Sequence, residues 1–319
     1  MRLAAGPTTR ATQGAMTTTI DAGIDDDDIE IIEQPDIEPA SAAPRPRTAR
    51  AVVRPALGIA ATILLAFVLF LLVGSRLTAS RDQVLRERAL RSELAAGTAP
   101  IGGRIDPGTP IAILTVPELG IRQIVAESTS SSITAGGPGH VRATPMPGQA
   151  GNSVLIARRT TFGAPFRHLD RLAPGDAIRL TTGQGPARYR VTEVTTASAE
   201  DASVFATTSR RGELTLLTAD PPRRATRYLV ARARLESDPV ASTPHVRRVE
   251  AAETGLAGDG SGIGGLILGL VLLAASALGA TWLALRWRPW SAYLVSVPVL
   301  VAATWWVFEQ AAPLLPAAL

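Results

Sequence analysis

The chain of 319 residues contains no cysteine, which excludes disulfides, thiolate metal sites and a thiolate nucleophile whatever compartment it occupies. Lysine is absent as well: all 32 basic residues are arginine, so every cationic side chain stays charged at ordinary pH. Together with abundant Ala, Gly and Pro, this points to a GC-rich genome more than to a functional choice. Histidine is scarce, and His140, His168 and His245 are too few and too scattered for a metal centre. Neither a metal nor any other cofactor is expected. A formal net charge of only +4 leaves nucleic acid unsupported as a partner. Aromatic residues make up 4% of the chain, and all five tryptophans, Trp282, Trp287, Trp290, Trp305 and Trp306, fall near its far end.

Against these absences stands a hydrophobic content of 46%, gathered into long runs. Pro55 to Gly74, PALGIAATILLAFVLFLLVG, is about 20 residues without a charge, enough to cross a bilayer as a helix. A cleaved signal peptide would carry a shorter apolar run and a clear small-residue cleavage site. Arg45, Arg47, Arg50 and Arg54 precede the run and favour a cytoplasmic N-terminus. Two more apolar stretches, 262–286 and 290–308, flank Arg286 and Arg288, which suit a short cytoplasmic loop, while the tryptophans suit the headgroup level.

The expected organisation follows. Residues 1–54 are a disordered cytoplasmic tail with an acidic run at Asp25 to Asp28, unchanged downstream whether translation starts at Met1 or Met16. Transmembrane helices occupy 55–75, 262–286 and 290–308 and meet membrane lipid. An amphipathic stalk spans 76–106, with Val84, Leu85, Ala89, Leu90 and Leu94 at mostly helical spacing. A domain outside the cell spans 107–236, and a flexible linker spans 237–261. The protein is thus expected to be a multi-pass component of the cell membrane.

Between Pro107 and Glu236 the chain reads as short β-rich runs separated by turn residues. Strands are expected at Ile111–Val116, Ile121–Ala126, Ser153–Ala157, Ala177–Thr182, Ala187–Val194, Leu214–Ala219 and Tyr228–Leu235, with a hairpin across Gly183 to Gly185. Pro165 to Leu172 reads as a short helix with Phe166, Leu169 and Leu172 on its buried face. The fold class is all-β, a barrel or sandwich with one or two short helices, plus the three membrane helices.

Ordered short motifs run through the same stretch: PELG at Pro117 to Gly120, GPGH at Gly137 to His140, PGQAGN at Pro147 to Asn152, IARRTTFGAPF at Ile156 to Phe166, LDRLAPGD at Leu169 to Asp176, LTLLTA at Leu214 to Ala219, and Arg227 opening the last strand. In this order they resemble the motifs of sortases, the cysteine transpeptidases that attach proteins to Gram-positive cell walls, and specifically actinobacterial class E-like sortase domains. The resemblance covers this one domain and implies a sortase-like β-barrel. Sortases read A-G-H-R-T-T-x-G-x-P-F where this chain has IARRTTFGAPF, and L-T-L-x-T-C where it has LTLLTA. The resemblance therefore gives the histidine position to Arg158, the cysteine position to Ala219, and the oxyanion-stabilising or substrate-orienting arginine to Arg227.

Arg158 is too basic to accept a proton. Thr218 is expected to turn away from the cleft, since alternate strand residues face opposite sides. His140 is expected to serve as a structural hydrogen-bonding residue, His168 to lie in packing or at the surface, and His245 to sit in the linker. The domain thus reads as a degenerate sortase, a pseudoenzyme that binds or scaffolds a component of the cell envelope. Two accounts of the altered site stand side by side. In one, Arg158 and Asp220 pair across the former cleft. In the other, Arg158, Arg159, Arg223, Arg224 and Arg227, with His140 and Asp220, form a groove for a cell-envelope protein or an anionic wall polymer. The alternative function is a working sortase-type transpeptidase or hydrolase that acts on secreted proteins through a non-standard serine or threonine.

Overall fold

The computed structural model describes residues 64–206, 211–222, 226–243, 253–256, 258, 260, 262–286 and 289–318. The acidic tail with Met1 and Met16, residues 55–63 of the first expected span, Arg223, Arg224, His245 and residues 287–288 of the expected cytoplasmic loop lie outside the described residues. All described residues belong to the compact unit Arg54–Leu319.

Eight strands carry the domain: β1 (Pro110–Val116), β2 (Ile121–Glu127), β3 (Gly139–His140), β4 (Gly151–Ile156), β5 (Ala177–Thr182), β6 (Gly185–Ser198), β7 (Gly212–Asp220) and β8 (Arg227–Leu235). They close into a barrel in the order β1-β2-β3-β4-β7-β8-β6-β5, which leaves no free sheet edge. The expected hairpin is β5 with β6, closed by the pair Thr182 and Gly185. In these two strands Ile178, Leu180, Ala187, Tyr189 and Val191 are buried while the residues between them face outward, the period of a sheet wet on one side. The two-residue β3 has no periodicity to announce it, and the sequence reading passes over it.

Two strands behave differently. Every residue of β4 is buried, and in β7 only Glu213 and Asp220 fall short of that. Leu155, Leu214 and Leu216 face the barrel interior with Ile111, Phe166 and Ile178. Val154, Ile156, Leu217 and Ala219 pack on the other side under Val204, Tyr228 and Ala318. These strands pair in parallel, and a parallel pair covered on both faces reads as a continuous apolar run.

The expected helix at 165–172 is a single 3-10 turn, Leu169–Arg171. The Arg167 and Leu169 N–H groups donate to Ala164 and Phe166, three residues back, and the Phe166 N–H is taken by Arg158. So short a segment gains too few i to i−4 bonds to hold an α-helix. Phe166, Leu169 and Leu172 are nonetheless buried as expected.

The expected stalk is α1 (Ser75–Ala96), ended by Gly97 in the left-handed conformation. It lies along β2 instead of leading away from the domain. Leu90 packs with Ala99 and Ile124, and the Gln83 amide accepts from the Ile124 N–H (2.7 Å) while donating to Gly136 (2.7 Å). Described parts of the expected linker are likewise tied down. Val240 exchanges backbone hydrogen bonds with Gly148 and Ala150, and Glu253 is buried against the barrel. Composition alone had suggested a free tether there.

Beyond it, α2 (Ile263–Arg286) and α3 (Pro289–Ala311) pack on each other. Among the described residues two helices are long and apolar enough to cross a membrane, Ile263–Leu283 and Val295–Leu314. Ile267, Val271, Leu278, Val295, Val299 and Val301 are exposed on them, as lipid-facing side chains would be. The described part of the first expected span is helical from residue 64 and passes through a π-helical turn at Phe70–Gly74. Its Phe67 packs tilted against Phe308 and its Phe70 edge-to-face against Trp305, with ring centroids 5.2 and 4.9 Å apart.

Phe166 is fully buried in the barrel interior. Phe166→Ala is expected to cost about 3–5 kcal/mol, measured by urea denaturation followed by far-ultraviolet circular dichroism.

Candidate functional site

The parallel register of β4 and β7 builds the site. Ile156 lies opposite Leu217, and the Ala157 N–H continues the ladder by donating to Leu217. Two residues further on, Arg158 and Ala219 come level at the same rim. The antiparallel pairing of β7 with β8 then sets Ala219 beside Tyr228 and Asp220 beside Arg227. Positions distant in sequence thus gather at one end of three adjacent strands.

Arg158 is fully buried. Its guanidinium donates through Nη2 to the Ser131 carbonyl (2.9 Å) and Oγ (2.7 Å), and through Nη1 to Thr161 Oγ1 (3.1 Å). The Phe162 ring lies beneath it, 4.7 Å from Cζ to centroid, a cation–π arrangement. Phe162 and Ala164 both carry positive φ, at 51° and 48°, so the chain turns sharply enough to bring Thr161 and Phe162 back under the guanidinium.

The expected bridge from Arg158 to Asp220 is not formed. Asp220 instead accepts from Arg159 Nη1 (3.1 Å) and pairs with Arg227 Nη2 (2.8 Å). The reason is the strand period: successive residues leave a strand on opposite sides, so Arg158 and Arg159 part, and it is Arg159 that reaches the β7 end. Arg159 also donates to the Ala219 carbonyl (2.8 Å) and lies 3.6 Å from Asp170. Its side chain is 8% exposed, against 57% for Arg227. Of the arginines expected to converge, Arg159 and Arg227 meet on one carboxylate, Arg158 lies in its own buried pocket, and Arg223 and Arg224 lie outside the described residues.

Thr218 is fully buried, and its hydroxyl donates to the Ala157 carbonyl (2.8 Å), with the Ala318 carbonyl 3.4 Å away. The Ser131, Thr161 and Thr218 hydroxyls are thus bonded to guanidinium or carbonyl groups. None of those bonds joins a hydroxyl to a base of the kind that activates a nucleophile.

His140 is part of a buried polar network. Nδ1 meets Glu127 Oε2 (2.8 Å) and Nε2 faces the Pro145 carbonyl (3.0 Å), with Thr144 Oγ1 at 3.2 Å. Nearby, Glu253 accepts from Ser128 Oγ (2.7 Å) and Arg142 Nε (2.5 Å). Burial alone would lower the His140 pKa, but Glu127, the Pro145 carbonyl and the Glu253 charge together raise it above the ordinary histidine value. Tyr228 donates to the Thr254 carbonyl (2.8 Å), and burial pushes its phenol up to about 12. His168 is exposed.

Ser131, Thr161, Phe162, Glu253 and Ala318 escaped the sequence reading. Thr161 and Phe162 stand three and four positions beyond Arg158, a spacing that hints at a contact only once the turn is known. The other three come from distant segments and carry no local signal.

Residues 114–236 match the Sortase domain family. Over 87 residues the chain is 38% identical to Sortase SrtE1 of Streptomyces coelicolor, a match that covers 25% of this chain and 25% of that relative. The chain therefore spans about a quarter of the length of the curated relative it matches. Among solved structures, sortase E from Streptomyces avermitilis is 31% identical, with 45% of this chain and 100% of that one covered and a TM-score of 0.38. A Clostridium perfringens Sortase D5 transpeptidase is 22% identical, with 50% and 98% covered and a TM-score of 0.43. The barrel of this chain belongs to the sortase family. Within the family it is class E-like.

Two measurements probe the site. Asp220→Ala leaves Arg159 buried beside a lost acceptor and is expected to destabilise the domain by about 1–3 kcal/mol. Arg227→Ala, at the exposed end of the same carboxylate, is expected to cost at most about 1 kcal/mol; urea denaturation of both variants compares them. For His140, a folded-state pKa above the unfolded value means the proton is held more tightly in the folded chain. That stabilisation is complete below about pH 6.5 and disappears as pH rises through the raised value. The stability difference between the parent chain and His140→Gln should accordingly shrink as pH is raised across that window, followed by denaturation at a series of pH values.

Proposed function

We propose that this protein is a membrane-anchored pseudo-sortase, held by three spans with its barrel outside the cell, that binds a cell-envelope protein without cleaving it. The observation that carries the reading is the pair of strand ends. Ala219 occupies the position that the family resemblance gives to the nucleophile, and Arg158, at the histidine position, is locked by Ser131 and Thr161. No cysteine exists in the chain, and the Ser131, Thr161 and Thr218 hydroxyls are engaged elsewhere.

The charge pattern favours a protein over an anionic wall polymer. Asp220 already neutralises Arg159 and Arg227, so these arginines do not present an open receptor for a polyanion. A sortase C of Clostridium perfringens has been solved with the C-terminal cell wall sorting motif, which makes a sorting-motif peptide the natural probe. For the anchor, Phe67 and Phe70 on the described part of the first apolar run pack on α3, as three helices grouped in one bilayer would. A cytoplasmic N-terminus and a cytoplasmic Arg286–Arg288 loop put the barrel outside.

The test is incubation of the full-length protein in detergent with a fluorescent sorting-motif peptide and an amine acceptor. The expected result is a rise in fluorescence anisotropy with no cleaved or transferred product. Product that disappears on Thr218→Val or Ser131→Ala would overturn the reading in favour of a working transpeptidase or hydrolase with a non-standard nucleophile.

A further inference from the structure

After α3 the chain does not end its contacts at the membrane helices. Ala312–Leu314 form a 3-10 turn, and the next four residues enter the barrel's groove. Ala312 packs with Ala79 and Phe162, the residue beneath the Arg158 guanidinium. The Leu315 carbonyl accepts from Ser131 Oγ (2.7 Å). At Ala318 both backbone groups are engaged: its N–H donates to the Gly255 carbonyl (2.7 Å), and its carbonyl accepts from the Arg159 N–H (3.1 Å). Ala317 and Ala318 are fully buried, and Ala318 shares an apolar cluster with Leu217, Ala219, Tyr228 and Val230.

The groove side is shaped for this contact. Gly255 has φ +82°, and a Cβ there would lie 2.9 and 3.1 Å from Ile156 side-chain atoms, so only glycine brings that carbonyl to Ala318 without strain. Ser131 links the segment to the substituted strand end. Because Arg158 Nη2 donates to Ser131 Oγ, the hydroxyl proton is left for Leu315. Arginine at position 158 thereby orients a donor toward an incoming main chain, a task different from acid–base chemistry.

We infer that the groove beside Ala219 is a main-chain peptide site occupied in cis: segment 312–318 is its resident occupant, which clamps the α2–α3 hairpin to the barrel and closes the groove to any other peptide until it is displaced. Recognition rests on backbone donors and acceptors plus room for small side chains, here Ala312, Ala317 and Ala318. This goes beyond the binding reading above: a peptide that binds in this groove must first displace the segment, and one that binds elsewhere on the barrel need not.

The absence of native cysteine makes the test direct, because a single introduced thiol is the only reactive one. In the full-length protein in detergent, Ala318→Cys should react with a maleimide more than about tenfold more slowly than Val240→Cys, Val240 being 48% exposed. Ala219→Cys should be similarly protected, and its labelling should rise more than about tenfold when residues 312–319 are deleted. Circular dichroism checks that the barrel stays folded, and Ala318→Arg takes the place of the deletion if that variant unfolds. Labelling of Ala318→Cys as fast as Val240→Cys overturns the inference. So does an Ala219→Cys rate that is indifferent to the segment in a folded barrel. No peptide ligand enters either measurement, so its outcome is separate from that of the turnover assay.

Discussion

The parallel pairing of β4 with β7 is the constraint on which the rest of the structure depends. A parallel neighbour requires a long crossover, and the chain spends it on the Phe166 turn and the β5–β6 hairpin, which together complete the barrel. Both strands then run toward the same rim. Because closure removes any free edge and both faces of the pair are covered, the register is held by apolar packing on two sides, and a slip of one residue would reverse every side chain along it. The chemical positions at the strand ends inherit that precision.

The charged groups at the rim are arranged to satisfy one another. A buried guanidinium is costly unless its N–H groups are bonded, and both terminal nitrogens of Arg158 donate, to Ser131 and Thr161, with the Phe162 face against the group. Arg159 crosses to the carbonyl and carboxylate of the β7 end, and Arg227 closes on the same carboxylate from β8. Three strands are therefore tied at their ends by hydrogen bonds and ion pairs.

Much of the barrel was legible in the sequence because its strands obey a simple period. β5 has the bounds expected of it, and the apolar runs at β4 and β7 mark strands covered on both sides. Pro165 to Leu172 shows the limit: the spacing of Phe166, Leu169 and Leu172 correctly marked a buried face, yet hydrogen bonding to Arg158 left only a 3-10 turn. Glu253 shows another. It stands in a stretch whose Ser, Gly and Asp content reads as a tether, but burial against Ser128 and Arg142 fastens it to the barrel.

The sequence by itself determined the absence of a thiol, the apolar runs that suit a membrane, the β-rich domain with its ordered sortase motifs, and the presence of alanine and arginine at the two strand ends. These are properties of composition and local spacing, which need no third dimension. Only the tertiary structure decided which arginine meets Asp220, because that depends on which side of β4 each residue leaves and how β7 and β8 are registered beside it. Only there, too, does Ala318 meet Arg159 and Gly255, since that contact joins segments with no local pattern in common. The strand ends that bear Arg158 and Ala219 are, in three dimensions, buried and joined to distant segments by hydrogen bonds and packing.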